Sequence, residues 1–202
     1  MTVHSTCAAC GAPITKEIPG LINVRGEPER KELVMSGELF IASCPACGKR
    51  QLVSAPFLYH DPDERLMLWL SADDASRERA ALLFASTPEL EDYTCRLVNS
   101  VGDLLEKIKI FDAGLSDIAV ELCKLVTSEE AGEELPLKFM RIDDSSAEIH
   151  FACPKNGQME VMAVGLNVYE DCRGILARNP QMTENAKGPV CIDQAWLSQY
   201  FA

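Results

Sequence analysis

Four cysteines in the first fifty residues carry the clearest chemistry in this chain. They form Cys7-x2-Cys10 and, after 33 intervening residues, Cys44-x2-Cys47. A CxxC turn puts two thiolates on one side of a tight knuckle, within reach of one ion. Two knuckles complete a tetrahedral set of four thiolates, the donor set that suits Zn2+. Gly11 and Gly48 follow the second cysteine of each pair. Glycine there lets the chain turn away with backbone N–H groups facing sulfur, which offsets thiolate charge. The spacing predicts one structural Zn2+ per chain, held by Cys7, Cys10, Cys44 and Cys47. Four thiolates close the coordination sphere, so zinc-hydroxide chemistry is not expected there. Cys44-Pro45-Ala46-Cys47 also has the look of a thiol–disulfide pair. That chemistry places CxxC at a helix N-terminus, whereas Gly48-Lys49-Arg50-Gln51 leads into a strand.

Other reactive side chains are more scattered. Tyr59, His60 and Asp61 form a polar run at a strand end, beside a turn-forming Asp61-Pro62-Asp63. Strand alternation puts Tyr59 and Asp61 on one face and His60 on the other, which weakens any catalytic pairing. His150, Cys153, Cys172 and Cys191 have no tight pair among them and are read as core residues rather than a second metal site. No catalytic residue is assigned. The cysteine count of nine is odd, and residues 1–7, MTVHSTC, have neither a basic nor an apolar leader. Both facts predict a reducing, cytoplasmic setting rather than a disulfide framework.

These groups need elements to hold them. Short strand-like runs surround the knuckles: residues 14–18, 21–24, 39–43, 50–54, 57–60 and 65–70. Residues 25–36 are polar and irregular, with one helical turn. A helix is expected over 73–84 and a strand over 93–98. Ser100 or Asn99 then caps a helix over 101–111, with Leu104, Leu105, Ile108 and Phe111 inward and Glu106, Lys107 and Lys109 outward. Ser116 caps a second helix, 117–126, and the two make a helical hairpin. Residues 128–134 are an acidic linker. Strands at 135–142, 147–153 and 159–164 follow, the last two joined by a hairpin turn at Asn156-Gly157. Helices over 168–178 and 193–201 complete the tail.

Charge bounds the partners. The net charge is -12, and residues 51–135 hold 7 Lys/Arg against 18 Asp/Glu. An acidic middle repels phosphate backbones, so nucleic acid is disfavoured as a partner. If any part touched it, the near-neutral knuckle segment would, through Arg25, Arg30, Lys31, Lys49 and Arg50. No apolar run approaches the roughly 18 residues of a membrane span.

Taken together, Cys7-Ala8-Ala9-Cys10-Gly11, Cys44-Pro45-Ala46-Cys47, Tyr59-His60-Asp61, Arg96–Ser100 and Leu104–Asp112 resemble the CpXC domain family of bacteria and archaea, over residues 4–128. The second knuckle fits the namesake pattern; the first has Ala8 where that pattern has proline. The resemblance implies a metal-binding domain, not a reaction. The expected fold is α+β: a β-rich zinc-knuckle or ribbon domain over 1–128 with a packed helical hairpin, and a small C-terminal α+β domain over 135–202. The expected function is a non-catalytic, zinc-stabilised module that engages a protein partner, with self-association compatible with it. The alternatives are an enzyme with its site near Tyr59, His60 and Asp61, or nucleic-acid contact through the knuckle segment.

Overall fold

The computed structural model describes residues 1–155 and 157–201 and resolves two compact units. One comprises Met1–Leu105 with Gly188–Val190; the other runs from Glu106 to Lys187 and continues from Cys191. The architecture is α+β, as expected. The division falls inside a helix, not at the acidic run near residue 130.

In the first unit two β-hairpins carry the knuckles. Strands β1 (Thr2–Thr6) and β2 (Pro13–Glu17) pair antiparallel, with Thr6 opposite Pro13, so residues 7–12 are their turn. β1 was not expected; Thr2, Val3 and Thr6 are β-branched strand formers, and the partner strand supplies the rest. A later hairpin repeats the plan. After β3 (Leu21–Asn23) and α1 (Pro28–Met35), β4 (Ile41–Ser43) pairs with β5 (Arg50–Leu52), Ser43 lies opposite Arg50, and residues 44–49 are the turn. Helix α1 exceeds the single turn expected, because Pro28 stands at its start, where a missing N–H costs nothing.

Behind the hairpins lies a four-stranded sheet in the order β3, β6 (Phe57–Asp61), β7 (Leu66–Leu70), β8 (Thr94–Val98). β3 and β6 run parallel, so the whole second hairpin sits in the crossover between them. Helix α2 (Asp74–Ala85) makes the parallel crossover from β7 to β8. Asp73 caps it by accepting a hydrogen bond from the Ser76 amide at 2.9 Å. Phe57, Tyr59, Leu66, Leu68 and Leu70 alternate into the core. Phe40, at the base of the second hairpin, meets Phe57 edge-on at 5.4 Å and ties that hairpin to the sheet. Val190 lies parallel to Arg96 of β8, and the Leu97 amide donates to its carbonyl at 3.0 Å.

The second unit begins within α3 (Val101–Asp112) and includes α4 (Asp117–Ala131). Ser100 and Ser116 cap these helices as expected, accepting from the Asp103 and Ala119 amides. A three-stranded antiparallel sheet follows in the order β11 (Gln158–Gly165), β10 (Glu148–Lys155), β9 (Lys138–Asp143). Lys155 opposite Gln158 realises the expected hairpin; Asn156 of its turn lies outside the described residues. Helices α5 (Leu166–Arg178), α6 (Pro180–Asn185) and α7 (Gln194–Ser198) end the chain, α6 being unexpected.

Two expectations are corrected here. The supposed linker is helical to Ala131, because glutamate extends a helix readily and Gly132, at φ 69°, stops it. Glu106 and Lys107 do not face outward. They are buried with Asp117, Glu121 and Lys124 in one ionic network. Lys124 Nζ lies 2.6 Å from Glu106 Oε1 and 2.7 Å from Glu121 Oε1; Lys107 Nζ lies 3.2 Å from Asp117 Oδ2. Half-exposed Lys138 of β9 reaches Glu106 Oε2 at 3.0 Å, the Phe139 amide donates to Glu106 Oε1, and Gln194 donates to Glu121 Oε2 at 2.8 Å. Those partners lie in the tail, so the helices from Glu106 onward belong with the C-terminal sheet.

Candidate metal centre

The two knuckles are built alike. In each, the first cysteine's amide donates to the carbonyl five residues on (Cys7 to Ala12, Cys44 to Lys49, both 2.9 Å). The following glycine's amide donates back to that cysteine's carbonyl, Gly11 to Cys7 and Gly48 to Cys44, again at 2.9 Å. Gly11 and Gly48 sit at φ 73° and 71°. Their amides therefore close the turn rather than face sulfur. The amides directed at sulfur are those of Ala9 and Cys10, on Cys7, and of Ala12, on Cys10. Gly48→Ala should cost about 1 kcal/mol in a denaturant melt, since open space surrounds the added Cβ and only the left-handed backbone resists. A loss beyond roughly 3 kcal/mol would mean that this account misses a contact.

The four sulfurs converge. Cys7 Sγ lies 3.7 Å from Cys47 Sγ, and Cys10 Sγ lies 3.6 Å from Cys44 Sγ; all four are within 4.8 Å of one another. A tetrahedron with metal–sulfur bonds of about 2.3 Å has edges of about 3.8 Å, so the cluster has the dimensions of an ion site. Cys7 and Cys44 are buried and Cys10 and Cys47 exposed, so the knuckles approach with matching faces. Gln51 of β5 holds them in register: its Oε1 accepts from the Ala8 amide at 3.0 Å, and its Nε2 donates to the Thr6 carbonyl at 3.1 Å. Sequence reasoning missed this residue, which has no local signature.

Electrostatics fit the same use. The Ala9 and Cys10 amides draw the Cys7 thiol down to about 6, against a weaker burial effect. At Cys10 the Ala12 amide pulls down, but the thiols of Cys47, Cys44 and Cys7 together push it up to about 12. The Ala9 and Cys10 amides thus favour a thiolate at Cys7, while neighbouring thiols disfavour one at Cys10. These four residues could hold a metal ion, with no donor position left open.

Tyr59 and Asp61 share the buried face, where the Tyr59 hydroxyl donates to Asp61 Oδ2 at 3.2 Å and Lys31 Nζ approaches the same oxygen at 3.3 Å. His60 is on the other face, 3.4 Å from both Asn23 Nδ2 and the Tyr93 hydroxyl. Burial, then Arg25, hold its pKa below the ordinary histidine value, with Asp61 opposing. The alternation expected of this run is present, and it separates the three residues. Of the five cations proposed to meet nucleic acid, four pair with carboxylates: Arg25 with Asp63, Arg30 with Glu27, Lys31 with Asp61 and Arg50 with Glu38. Cys153 and Cys172 are buried, and Cys191 Sγ lies 3.3 Å from Asp193 Oδ2. Among the described residues the knuckle cysteines are the one group of three or more such side chains with ion-site geometry. Among them, too, no helix is long and apolar enough to cross a membrane.

A family model described as CpXC protein matches residues 5–124. The match begins two residues before Cys7 and ends inside α4, so it takes in both knuckles and the four-stranded sheet. No curated protein and no solved structure matches the chain.

Proposed function

The chain belongs to the CpXC family, and from that premise we propose that it is a non-catalytic, zinc-stabilised module that docks an extended segment of a protein partner in the cytoplasm of a prokaryotic cell. Zinc is the ion the four-thiolate set selects, one per chain, with Cys7, Cys10, Cys44 and Cys47 as ligands. Its closed sphere supports a structural role. Nine free cysteines suit a reducing compartment.

The observation that carries the docking reading is strand β11. It is an edge of the three-stranded sheet, and its outer face presents Met159, Val161 and Ala163, with Met159 66 % and Val161 57 % exposed. Edge strands are normally guarded by charge. The opposite edge, β9, has Lys138 and Arg141; β11 has Glu160 alone. An eight-residue edge with one charge and apolar side chains at alternate positions is the template that strand addition uses. The test is capture from the source cell by wild type and by Val161→Lys, each with its metal content measured. One partner held by wild type and lost by the loaded variant supports the reading. Equal capture by both, or none by either, overturns it.

A further inference from the structure

Helices α4 and α5 bring two further cysteines face to face. Cys123 Sγ lies 3.6 Å from Cys172 Sγ, and both residues are within 1 % of complete burial. Sequence reasoning reads Cys172 as a core thiol and gives Cys123, 49 residues away, no role. Their contact makes them a pair. We propose that Cys172 and Cys123 are a peroxide-oxidisable dithiol, Cys172 attacking and Cys123 resolving, whose disulfide ties α5 to α4.

Geometry supplies the first argument. A disulfide needs its sulfurs at about 2.05 Å, so the pair must close by about 1.5 Å, a shift that side-chain rotation and a small helix adjustment can provide. The two roles follow from the shared proton. The Cys123 thiol donates to Cys172 Sγ, which holds Cys172 below the ordinary thiol value in spite of burial. The same hydrogen bond, and then burial, push Cys123 up. The sulfur that reacts as thiolate is therefore Cys172.

The chemistry balances with hydrogen peroxide as oxidant. The Cys172 thiolate attacks one peroxide oxygen and the O–O bond breaks. Cys172 becomes a sulfenic acid, and the leaving hydroxide takes up the displaced proton as water. The Cys123 sulfur then attacks the sulfenic sulfur; the S–S bond forms, the S–O bond breaks, and the hydroxyl leaves as a second water with the Cys123 proton. Two thiols lose two electrons and one peroxide gains them. Burial makes a water-sized peroxide the oxidant expected here, rather than a peptide disulfide. A resolving thiol already in contact also protects the sulfenic acid from further oxidation.

The test uses the metal-loaded full chain, treated with hydrogen peroxide, alkylated and digested without reductant. The expected result is a Cys123–Cys172 linked peptide, lighter by two hydrogen atoms and reversed by dithiothreitol. Cys95 and Cys153, buried to a similar degree, serve as controls for burial alone and are expected to remain alkylatable. In Cys123→Ser, whose hydroxyl still donates to Cys172 Sγ but cannot form a disulfide, dimedone present as the peroxide-treated chain is unfolded should trap a sulfenic acid on Cys172 that wild type does not accumulate; in Cys172→Ala, Cys123 should stay unlabelled. Unlinked, fully alkylated Cys123 and Cys172 peptides from peroxide-treated, folded wild type would overturn the proposal, and this readout needs no variant. A dimedone adduct on Cys123 in Cys172→Ala, with none on Cys172 in Cys123→Ser, would overturn the assignment of roles.

Discussion

Stripping the metal, or replacing Cys44 with serine, is expected to open β1, β2, β4 and β5 to amide exchange while β6, β7 and α4 stay protected. The reason lies in how little else joins the two hairpins. Each is two-stranded, and an isolated two-stranded hairpin is marginal in water. Across the pair, Gln51 supplies three hydrogen bonds to the first hairpin, to the Ala8 amide, the Thr6 carbonyl and the Ser5 hydroxyl, each worth about 1 kcal/mol. Metal binding in small zinc modules contributes an apparent 10–16 kcal/mol, roughly, which sets the ceiling. Here the neighbouring sheet retains part of the structure through Phe40 and Phe57, so the hairpin amides should lose on the order of 5 kcal/mol of protection. Metal analysis should give one zinc per wild-type chain and a sharp fall in Cys44→Ser. Unchanged hairpin protection after chelation would refute a structural role. Uniform loss over all of Met1–Leu105 would show the hairpins and the sheet to be one cooperative unit.

This division of labour was partly legible from residues alone. The knuckles are local: two cysteines and a glycine within five positions dictate the turn, so spacing sufficed. The capping serines, Ser100 and Ser116, are equally local and stand where expected. What escaped is decided by partners far along the chain. Glu106 and Lys107 fall on the polar side of α3 in any helical projection, and charge is ordinarily solvated. Their burial depends on Lys138, Phe139 and Gln194, whose sequence neighbourhoods say nothing of α3. Cys172 reads as a lone core thiol for the same reason, since its contact with Cys123 is set by the packing of α5 on α4. β1 was missed because its pairing, not its composition, makes it a strand. The knuckle glycines were placed correctly but given the wrong bond: their amides close the turn on a carbonyl, and other amides face sulfur.

The buried network yields the other large effect. Lys124→Met should destabilise the second unit by about 3–5 kcal/mol, because it removes the cation between two buried carboxylates rather than a whole ion pair. Glu106 and Glu121 would then share one desolvated region, with Lys124 no longer 2.6 and 2.7 Å away. Lys138 holds only the far oxygen of Glu106 and is half-exposed; Lys107 is 3.7 Å from Glu121 Oε1. Against a typical domain stability of roughly 5–15 kcal/mol, such a loss brings this unit near its unfolding threshold. Adding Glu106→Gln or Glu121→Gln to Lys124→Met should recover part of it, by removing one of the stranded charges. Acid provides an independent readout. Burial alone would raise the Glu106 pKa, but Lys124, Lys138 and the Phe139 amide outweigh it and hold the carboxyl below its ordinary value of 4.5. A depressed folded-state pKa means stability that is present above 4.5 and lost as pH falls through and below it. Wild type should therefore weaken on acidification through this window. In Lys124→Met the paired carboxylates gain by taking up a proton, so its deficit relative to wild type should shrink as pH falls. Urea midpoints at neutral pH and across the range below 4.5 measure both quantities. A loss under about 1 kcal/mol at neutral pH, with a deficit that does not change on acidification, would show that water reaches these groups and that the network contributes little to holding the unit together.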